Sequence, residues 1–312
     1  MQTILGAGGI IGNETAKALI HYTKKIRLAS RHPKPVNETD EVLKTDLTVA
    51  SDVDAAVSGS EIVYLTAGFK YNTKVWENTW PHVMKNVLDA CKKHGAKLVF
   101  FDNIYMYHPK AIPNIREDSR VDPVSKKGKV RARIARMIMD EVEKGNVEGM
   151  IVRAADFYGP GAFNVSVLIE TVFKNLSAGK KAYWLGSSKN KHAYTYTPDA
   201  GKATALLGNT PDAYNQVWHL PTDPDAMTGD QWVEAIAAEM NVKPGIQQVP
   251  KFMVRMLGLF DPTMREFVEM MYQYEQDYIF NSSKFNKRFK FKTTSYSDGI
   301  KEIVKADFSK KV

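Results

Sequence analysis

The 312-residue sequence contains a single cysteine, Cys91, and seven histidines. One thiol excludes an internal disulfide framework and a cluster of cysteine metal ligands, and it suits a reducing cytosol. The histidines show no HExxH-type spacing. The sequence therefore predicts no metal site.

Long hydrophobic runs are also missing. No stretch approaches the run of about 18 apolar residues that a membrane helix requires. The opening MQTILGAGG has no basic region followed by a long apolar segment. We therefore expect no signal peptide, no membrane partner and a cytoplasmic location.

Positive charge is in excess, with 43 Lys and Arg against 35 Asp and Glu and a net charge of +8. This balance fits a nucleic-acid binder, and it fits equally an enzyme whose substrate or cofactor carries phosphates. The sequence shows no zinc-finger spacing, no RNA-recognition signature and no long basic tail. We therefore expect no nucleic-acid partner, although the basic stretch 126–136 keeps that alternative open.

Short β-branched segments alternate with helical patterns in the first half of the chain. The predicted strands are 2–5, 25–30, 41–46, 61–68, 96–103 and 149–156. The predicted helices are 12–24, 50–58, 75–94 and 126–144. Such alternation is typical of a parallel sheet covered on both faces, so we predict an α/β fold with a Rossmann-type doubly wound sheet.

The pattern loosens after about residue 156. Turn-rich stretches separate predicted helices near 165–178, 199–207, 228–240 and 263–277. We assign residues 1–155 to a dinucleotide-binding domain with a returning segment near 194–220, and residues 156–312 mainly to a smaller substrate-binding lobe.

Candidate residues of this second lobe are aromatic or apolar. The candidates to line the substrate site, or to pack in the core, are Tyr158, His192, Tyr194 and Tyr196. A helical face with i, i+3, i+4 spacing is formed by Met264, Phe267, Val268, Met271 and Tyr272. Such a face indicates core packing, or the contact surface of a possible homodimer if it is exposed.

A glycine-rich turn, GAGGIIG, follows the first predicted strand and opens the first helix. Gly6 permits a tight turn, the pair Gly8 and Gly9 lets the backbone approach a pyrophosphate, and Gly12 allows close packing of helix on strand. The helix N-terminus supplies unpaired N–H donors to the phosphates. The predicted cofactor-binding residues of this turn are Gly6, Gly8, Gly9, Ile10, Ile11 and Gly12.

The second predicted strand ends in LASRHPK and carries no acid. An acid at this point would bind the adenosine 2′-hydroxyl of NAD. Ser30 and Arg31 instead offer a hydroxyl and a guanidinium, the groups that suit a 2′-phosphate. We therefore favour NADP over NAD; the alternative is that Arg31 is a solvated loop residue.

These features together resemble the NAD-dependent epimerase/dehydratase (extended) branch of the short-chain dehydrogenase/reductase superfamily. The resemblance extends over nearly the whole chain, through a GxxGxxG turn, DLT, LTAG, VRAADFYGPG and YTYTPDAGKA. It implies an enzyme acting on a small substrate, and it implies that Asp156 stands where asparagine is usual. The further cofactor-binding residues that it implies are Asp46, Leu47, Thr66, Ala67, Gly68, Arg131 and Ala155.

The catalytic segments depart from the family pattern. A Ser or Thr after the fifth strand, then YG, then PxSxYGxSK are usual. FFDNIYMYHP instead places Asn103 at the serine and Tyr107 at the tyrosine of YG, and PVSKKGKVR places Lys127 at the catalytic tyrosine and Arg131 at the catalytic lysine. The usual Tyr–Lys pair is therefore absent.

Lys127 and Arg131 lie one helical turn apart, on one face. Arg131 could bind ribose hydroxyls, and Lys127 would then be a partly desolvated ammonium beside a fixed positive charge, which suits a lysine acid/base. Alternatively Lys127 binds an anion or faces solvent. A rival register, shifted by two residues, pairs Ser125 with Lys129 and loses the match at Gly128. Tyr105 and Tyr107 are other candidate proton donors, and Asn103 could polarise a substrate carbonyl.

The favoured function is an NADP-binding oxidoreductase of the epimerase/dehydratase type. Its substrate would be a small polar compound, or a carbonyl-bearing or sugar-like one. The alternative is a non-catalytic protein of the same fold that senses the redox state of NADP, because the Tyr–Lys pair is absent.

Overall fold

The computed structural model describes residues Met1–Ser309, and its internal contacts divide the chain into two compact units. Unit 1 comprises Met1–Met106, Lys126–Ala154 and Ala200–Leu220. Unit 2 comprises Tyr107–Ser125, Ala155–Asp199 and the chain from Pro221 onward. The predicted division at residue 155, with its returning segment near 194–220, differs from these units in its placement of Tyr107–Ser125, of Ala155 and of residues 194–199.

The strands of the described chain are short. In chain order they are β1 (Gln2–Leu5), β2 (Ile26–Ser30), β3 (Glu41–Lys44), β4 (Ile62–Leu65), β5 (Lys97–Asp102), β6 (Gly149–Arg153), β7 (Asp156–Tyr158), β8 (Ala182–Leu185), β9 (Tyr194–Tyr196), β10 (Val217–His219) and β11 (Ile246–Val249).

The helices of the same residues vary from one turn to six. In chain order they are α1 (Ile10–Leu19), α2 (Ala50–Val57), α3 (Thr73–His94), α4 (Lys126–Glu143), α5 (Lys174–Ser177), α6 (Thr197–Gly208), α7 (Gly229–Glu239), α8 (Lys251–Leu257), α9 (Pro262–Phe267), α10 (Ser283–Arg288) and α11 (Tyr296–Ile303). Short 3-10 or π segments lie at Pro109–Asn114, Ile169–Phe173, Pro211–Ala213, Val268–Gln273 and Val304–Phe308.

Unit 1 is built on a seven-stranded sheet in the order β10-β6-β5-β4-β1-β2-β3. Every neighbouring pair is parallel. β1, β4 and β6 are buried along their whole length, as expected for parallel strands covered on both faces. The predicted α/β, Rossmann-type fold is confirmed.

The ends of the long helix α3 are set by its sequence. The Asn72 side chain accepts a hydrogen bond from the Val75 amide, 3.1 Å away, and so caps the N-terminus. Gly95 ends the helix in the left-handed conformation, with φ of 66°. The face between these ends packs Trp76, Trp80 and their neighbours into the core of unit 1.

Two predicted helices differ from the observed ones. α1 stops at Leu19 rather than continuing to residue 24, and the next residue, Ile20, is half exposed. The predicted helix 263–277 is α9 followed by a 3-10 segment, Val268–Gln273. Tightening of a helix into 3-10 geometry is common near its C-terminus.

Unit 2 contains two parallel strand pairs, β7 with β9 and β8 with β11. The apolar face predicted around residues 264–272 contributes to a buried cluster. The members of that cluster include Val249, Val254, Met264, Phe267, Val268, Met271 and Tyr274. These side chains therefore pack within unit 2.

Among residues 1–309, no helix is long and apolar enough to cross a bilayer.

Candidate functional site

The glycine turn joins β1 to α1 and is held against the end of β4. Gly6 has φ of 98°, and a Cβ atom on it would lie 2.4 Å from the Ala67 backbone. A Cβ atom on Gly12 would lie 3.0 Å from Thr66 Oγ1. Gly6 and Gly12 are therefore required by the turn's own packing.

Gly8 and Gly9 have no such packing reason. A Cβ atom on Gly8 would meet nothing within 4 Å, and one on Gly9 would come no closer than 3.6 Å to Gly6 O. Gly8 does need its positive φ of 94°. The open space lies beside exposed backbone, which is the arrangement that lets a phosphate group approach.

The N-terminus of α1 lacks a side-chain cap. Its N-cap residue is Gly9, and within the described chain no acceptor bonds to the amides of Ile10 and Ile11. Uncapped amides at a helix N-terminus bind anionic oxygens. The turn therefore fits the pyrophosphate of a dinucleotide.

Asn13 holds this turn in shape, and the sequence analysis missed it. Its Oδ1 atom accepts a hydrogen bond from the Gly8 amide at 3.1 Å. The only signal in the sequence is a polar residue directly after GAGGIIG. Helical spacing alone does not show whether its side chain faces the turn or the solvent.

The adenosine end of the predicted site lies at the ends of β2 and β3. Ser30 is half-buried and Arg31 is exposed. The amide and hydroxyl of Thr48 bond to Asp46 Oδ1 at 2.9 and 2.7 Å. These bonds lower the pKa of Asp46, and the positive charge of Arg31 lowers it further, so Arg31 and Asp46 lie near each other.

The remaining predicted cofactor residues fall into three places. Thr66, Ala67 and Gly68 follow β4, with Gly68 exposed. Leu47 is buried, and its carbonyl accepts from Asn86. Ala155 is buried in unit 2, where its amide donates to Thr195 Oγ1 at 3.0 Å.

At the end of β5, Asp102 forms a buried ion pair with Arg131 of α4. Arg131 Nε lies 2.7 Å from Asp102 Oδ1, and Arg153 Nε lies 3.4 Å from Oδ2. The exposed fraction of the three side chains is 0% for Asp102, 5% for Arg131 and 4% for Arg153. A buried charge of this kind needs a partner, and each arginine supplies one to Asp102.

The guanidinium of Arg131 is also enclosed by aromatic rings. Its Cζ atom lies 4.5 Å from the Trp80 ring centre and 4.9 Å from that of Phe100, and Nη2 donates to the Phe101 carbonyl. These contacts stabilise the charge where water is excluded. The structure directs these donors to Asp102 and Phe101. A contact of Arg131 with a ribose stays a prediction.

Lys127 is fully buried in unit 1, on the same face of α4 as Arg131. Its Nζ atom lies 3.2 Å from Thr73 Oγ1 and 4.6 Å from the centre of the Tyr71 ring. The ammonium therefore does not face solvent, which removes one alternative for this residue. The contacts fit both an acid/base role and an anion-binding role.

The other candidate catalytic residues belong to different units. Asn103 and Tyr105 are half-buried in unit 1; Asn103 Oδ1 accepts from the Tyr105 amide at 3.0 Å, and the Tyr105 ring stacks on Trp76. Tyr107 is buried in unit 2. Sequence reasoning did not identify Tyr71, Thr73 and Trp76, because they are brought to Lys127 and Tyr105 only by folding.

The basic stretch 126–136 has two faces. Lys126, Lys129, Arg133 and Arg136 are exposed, whereas Lys127 and Arg131 are buried. The stretch is therefore one helix with a solvated outer face and a charged inner face.

The aromatic candidates of unit 2 are all buried. Burial raises the pKa of both Tyr158 and Tyr194 well above the ordinary value of tyrosine, so these phenols stay protonated. His192 and Tyr196 are buried with them.

Within residues 1–309, no group of three or more His, Cys, Asp or Glu side chains could hold a metal ion.

The two kinds of glycine in the turn predict two different defects. Gly9→Val should abolish NADPH binding and leave the unfolding free energy nearly unchanged, because the side chain enters open space that the pyrophosphate would occupy. Gly12→Val should destabilise the protein by roughly 1–3 kcal/mol through overpacking. Calorimetric titration and denaturant unfolding measure the two effects; normal NADPH affinity in folded Gly9→Val would contradict the pyrophosphate site.

The ion pair predicts a stability defect for Arg131→Gln. Asp102 would keep the Asn103 amide and, as its one cation, the more distant Arg153, so we expect a loss of about 3–5 kcal/mol in the unfolding free energy. The matched control is Arg133→Gln, an exposed position on the same helix, with a change within about 0.5 kcal/mol. Unfolding is measured without cofactor, and an Arg131→Gln protein as stable as the control would show that the pair is not structural.

Comparisons with known proteins agree with this arrangement. Residues 3–219 match the NAD dependent epimerase/dehydratase family. Two similar structures are UDP-glucose 4-epimerase from Thermus thermophilus in complex with NAD (16% identity, TM-score 0.77, 98% of each chain) and UDP-N-acetylglucosamine 4-epimerase from Methanobrevibacter ruminantium M1 in complex with UDP-N-acetylmuramic acid (17% identity, TM-score 0.78, 97% of this chain and 96% of the other).

A third similar structure is a monomeric L-threonine 3-dehydrogenase from a metagenome (17% identity, TM-score 0.75, 98% of this chain and 96% of the other). No curated protein matches the sequence significantly. The family match spans more than two thirds of the chain and includes the glycine turn and the Asp102 ion pair. The chain belongs to the NAD-dependent epimerase/dehydratase family, and is thus an NAD(P)-dependent enzyme of the oxidoreductase or epimerase type.

Proposed function

We propose that unit 1 binds NADP and that the protein is an oxidoreductase acting on a small polar, carbonyl-bearing or sugar-like substrate. The observation that carries this proposal is the open glycine turn, with the uncapped N-terminus of α1 and Arg31 beyond the end of β2. The bound cofactor would supply the hydride chemistry. The chain's own residues bind it, orient it and move protons.

The choice of NADP rests on the charges around the adenosine end. β2 ends with Ser30 and is followed by Arg31, without an acid at its end. Asp46, the nearby acid, accepts two hydrogen bonds from Thr48. Arg31 is exposed and so is accessible to a 2′-phosphate.

The proton donor is proposed to lie in the cluster of Lys127 and Tyr105. The Tyr71 ring contacts both Lys127 Nζ and Trp76, and Trp76 stacks on Tyr105. Lys127 and Tyr105 therefore belong to one connected aromatic cluster in unit 1. Asn103, held in the turn that follows β5, is the proposed partner of a substrate carbonyl.

The commitment of Arg131 to Asp102 favours a second candidate function. In the usual family site a lysine at this position holds the nicotinamide ribose, whereas here the guanidinium donates hydrogen bonds to Asp102 and Phe101. A chain that binds NADP without turnover would act as a redox sensor.

The possible homodimer, the small-molecule substrate and the absence of a nucleic-acid partner stay predictions.

Arg31→Ala should weaken NADPH binding by about 1.5–3 kcal/mol, because a charge-assisted hydrogen bond to the 2′-phosphate is lost. NADH binding should barely change. The matched control is Lys34→Ala, another exposed cation of the same loop. Calorimetry with both cofactors measures the effect; equal losses for NADPH and NADH, or a wild type that prefers NADH, would contradict the NADP assignment.

Turnover separates the enzyme from the sensor. Wild type mixed with a stoichiometric amount of NADPH and a panel of aldehydes, ketones and nucleotide sugars should show loss of NADPH absorbance with at least one substrate. Lys127→Met should lower this rate about 100-fold or more without changing NADPH affinity, since acid–base groups typically contribute 10²–10⁴-fold. Lys129→Met, on the exposed face, is the control.

The opposite result assigns the proton donor elsewhere. If Lys127→Met matches wild type and Tyr105→Phe loses turnover, the donor is Tyr105. Tight NADPH binding without oxidation by any member of the panel would favour the sensor.

A further inference from the structure

Unit 2 has one short segment in which large apolar side chains are exposed together. Residues 1–309 contain 13 exposed large hydrophobic residues, and five of them lie within positions 252–260. These five, which form the apolar tip, are Phe252, Met256, Leu257, Leu259 and Phe260, with exposed fractions between 49% and 89%. Single exposed apolar side chains are ordinary, whereas a contiguous group marks an interaction surface.

The apolar tip has the spacing of a helix-packing ridge. It begins in α8, and backbone hydrogen bonds extend the helical path through residue 261. Phe252, Met256 and Phe260 stand four residues apart, and residues at this spacing lie on one face of a helix. A row of side chains at i, i+4 and i+8 packs into the groove of a second helix. The tip therefore fits a helical partner.

The tip is fixed by the elements that carry it. Arg265 of α9 donates to the carbonyl oxygens of Gly258 and Leu259 at 2.9 and 3.3 Å. On the inner side of α8, Val254 is buried in a cluster with Met271. The exposure of the apolar side chains is therefore built into a held segment, and the surface is ordered before a partner arrives.

The charges beside the tip are one of each sign. Arg255 and Asp261 are both exposed, and in residues 1–309 neither lies within ion-pair distance of an opposite charge. The nearby Lys251 is paired with Glu275. An anionic lipid surface would attract Arg255 and repel Asp261, and membrane-bound helices carry an excess of cations. A second copy turned by a two-fold axis can instead match each charge with its opposite.

We propose that the apolar tip is a contact surface between two copies of this chain related by a two-fold axis. Phe252, Met256 and Phe260 of each copy pack against the same residues of the other, and Arg255 faces the partner's Asp261. The face 264–272, which the sequence offers for a homodimer, packs within unit 2 and is not this surface. The inference goes beyond the proposed function and does not depend on it.

Sedimentation velocity of the full chain, over a concentration series that spans the micromolar range, tests the contact. Wild type should pass reversibly from monomer to dimer. Phe252→Glu and Phe260→Glu should each raise the dimer Kd about 30-fold or more, the equivalent of an interface hot spot. Both side chains are exposed, so both variants should melt as wild type does. The matched control is Val165→Glu, at another exposed apolar residue of unit 2, which should leave the Kd unchanged.

A charge exchange tests the two-fold geometry. Arg255→Glu and Asp261→Lys should each weaken the dimer, because like charges then meet at both contacts. An equimolar mixture of these two variants should recover a dimer, since every contact again joins opposite charges. Recovery in the mixture cannot come from a purely local role of either residue. Two folded variants whose mixture dimerises no better than each alone would overturn the proposed pairing.

Three further results would overturn the proposal. The first is a wild type that stays monomeric throughout the series. The second is a dimer that Phe252→Glu and Phe260→Glu leave intact, because the contact would then lie on another face. The third is a monomeric wild type that sediments with phosphatidylserine vesicles and loses this binding in Phe260→Glu, because the occupant would then be lipid. NADPH affinity, measured in the same samples, should be equal in all variants, and its absence would contradict only the proposed function.

Discussion

The buried ion pair between Asp102 and Arg131 is the constraint on which the centre of unit 1 depends. It joins the end of β5 to α4, and through Arg153 it joins both to β6. Replacing such a pair by apolar groups can be neutral, but removing one partner leaves an uncompensated buried charge. The pair also fixes the turn that follows β5, because Asp102 Oδ1 accepts from the Asn103 amide at 2.8 Å. The positions of Asn103 and Tyr105 follow from it.

The cofactor end of unit 1 is organised by close backbone packing instead of charge. Gly6 lies against Ala67, and Gly12 lies against Thr66, so the turn is set by the end of β4. Gly8 and Gly9 are left in open space above it. One short sequence thus contains two kinds of glycine: those that the fold needs and those that leave room for phosphates.

The two units each contain an acid, and the two acids differ in burial and in hydrogen-bond partners. Asp102 is wholly buried between two arginines and serves the fold. Asp156 is held by His192 and by a tyrosine hydroxyl, and its side chain stays partly exposed. The difference is one of solvation: a carboxylate without access to water must be matched by cations, whereas a partly hydrated one keeps part of its solvation from water.

The sequence by itself determined the fold class and the dinucleotide turn. Alternating strand and helix patterns predict a parallel sheet, and GAGGIIG predicts the turn, because both depend on residues that are neighbours along the chain. The same reasoning placed Lys127 and Arg131 on one face of α4. Helical spacing shows which residues share a face of the helix, but it does not show which other residues that face contacts.

Only the tertiary structure decided what those faces meet. Asp102 lies 29 residues from Arg131 in sequence, and His192 lies 36 residues from Asp156. No local periodicity links such positions, because the contact depends on which strands pair and on how the helices pack. The structure therefore assigned Arg131 to a buried carboxylate, placed Tyr107 in the other unit, and set an imidazole behind Asp156.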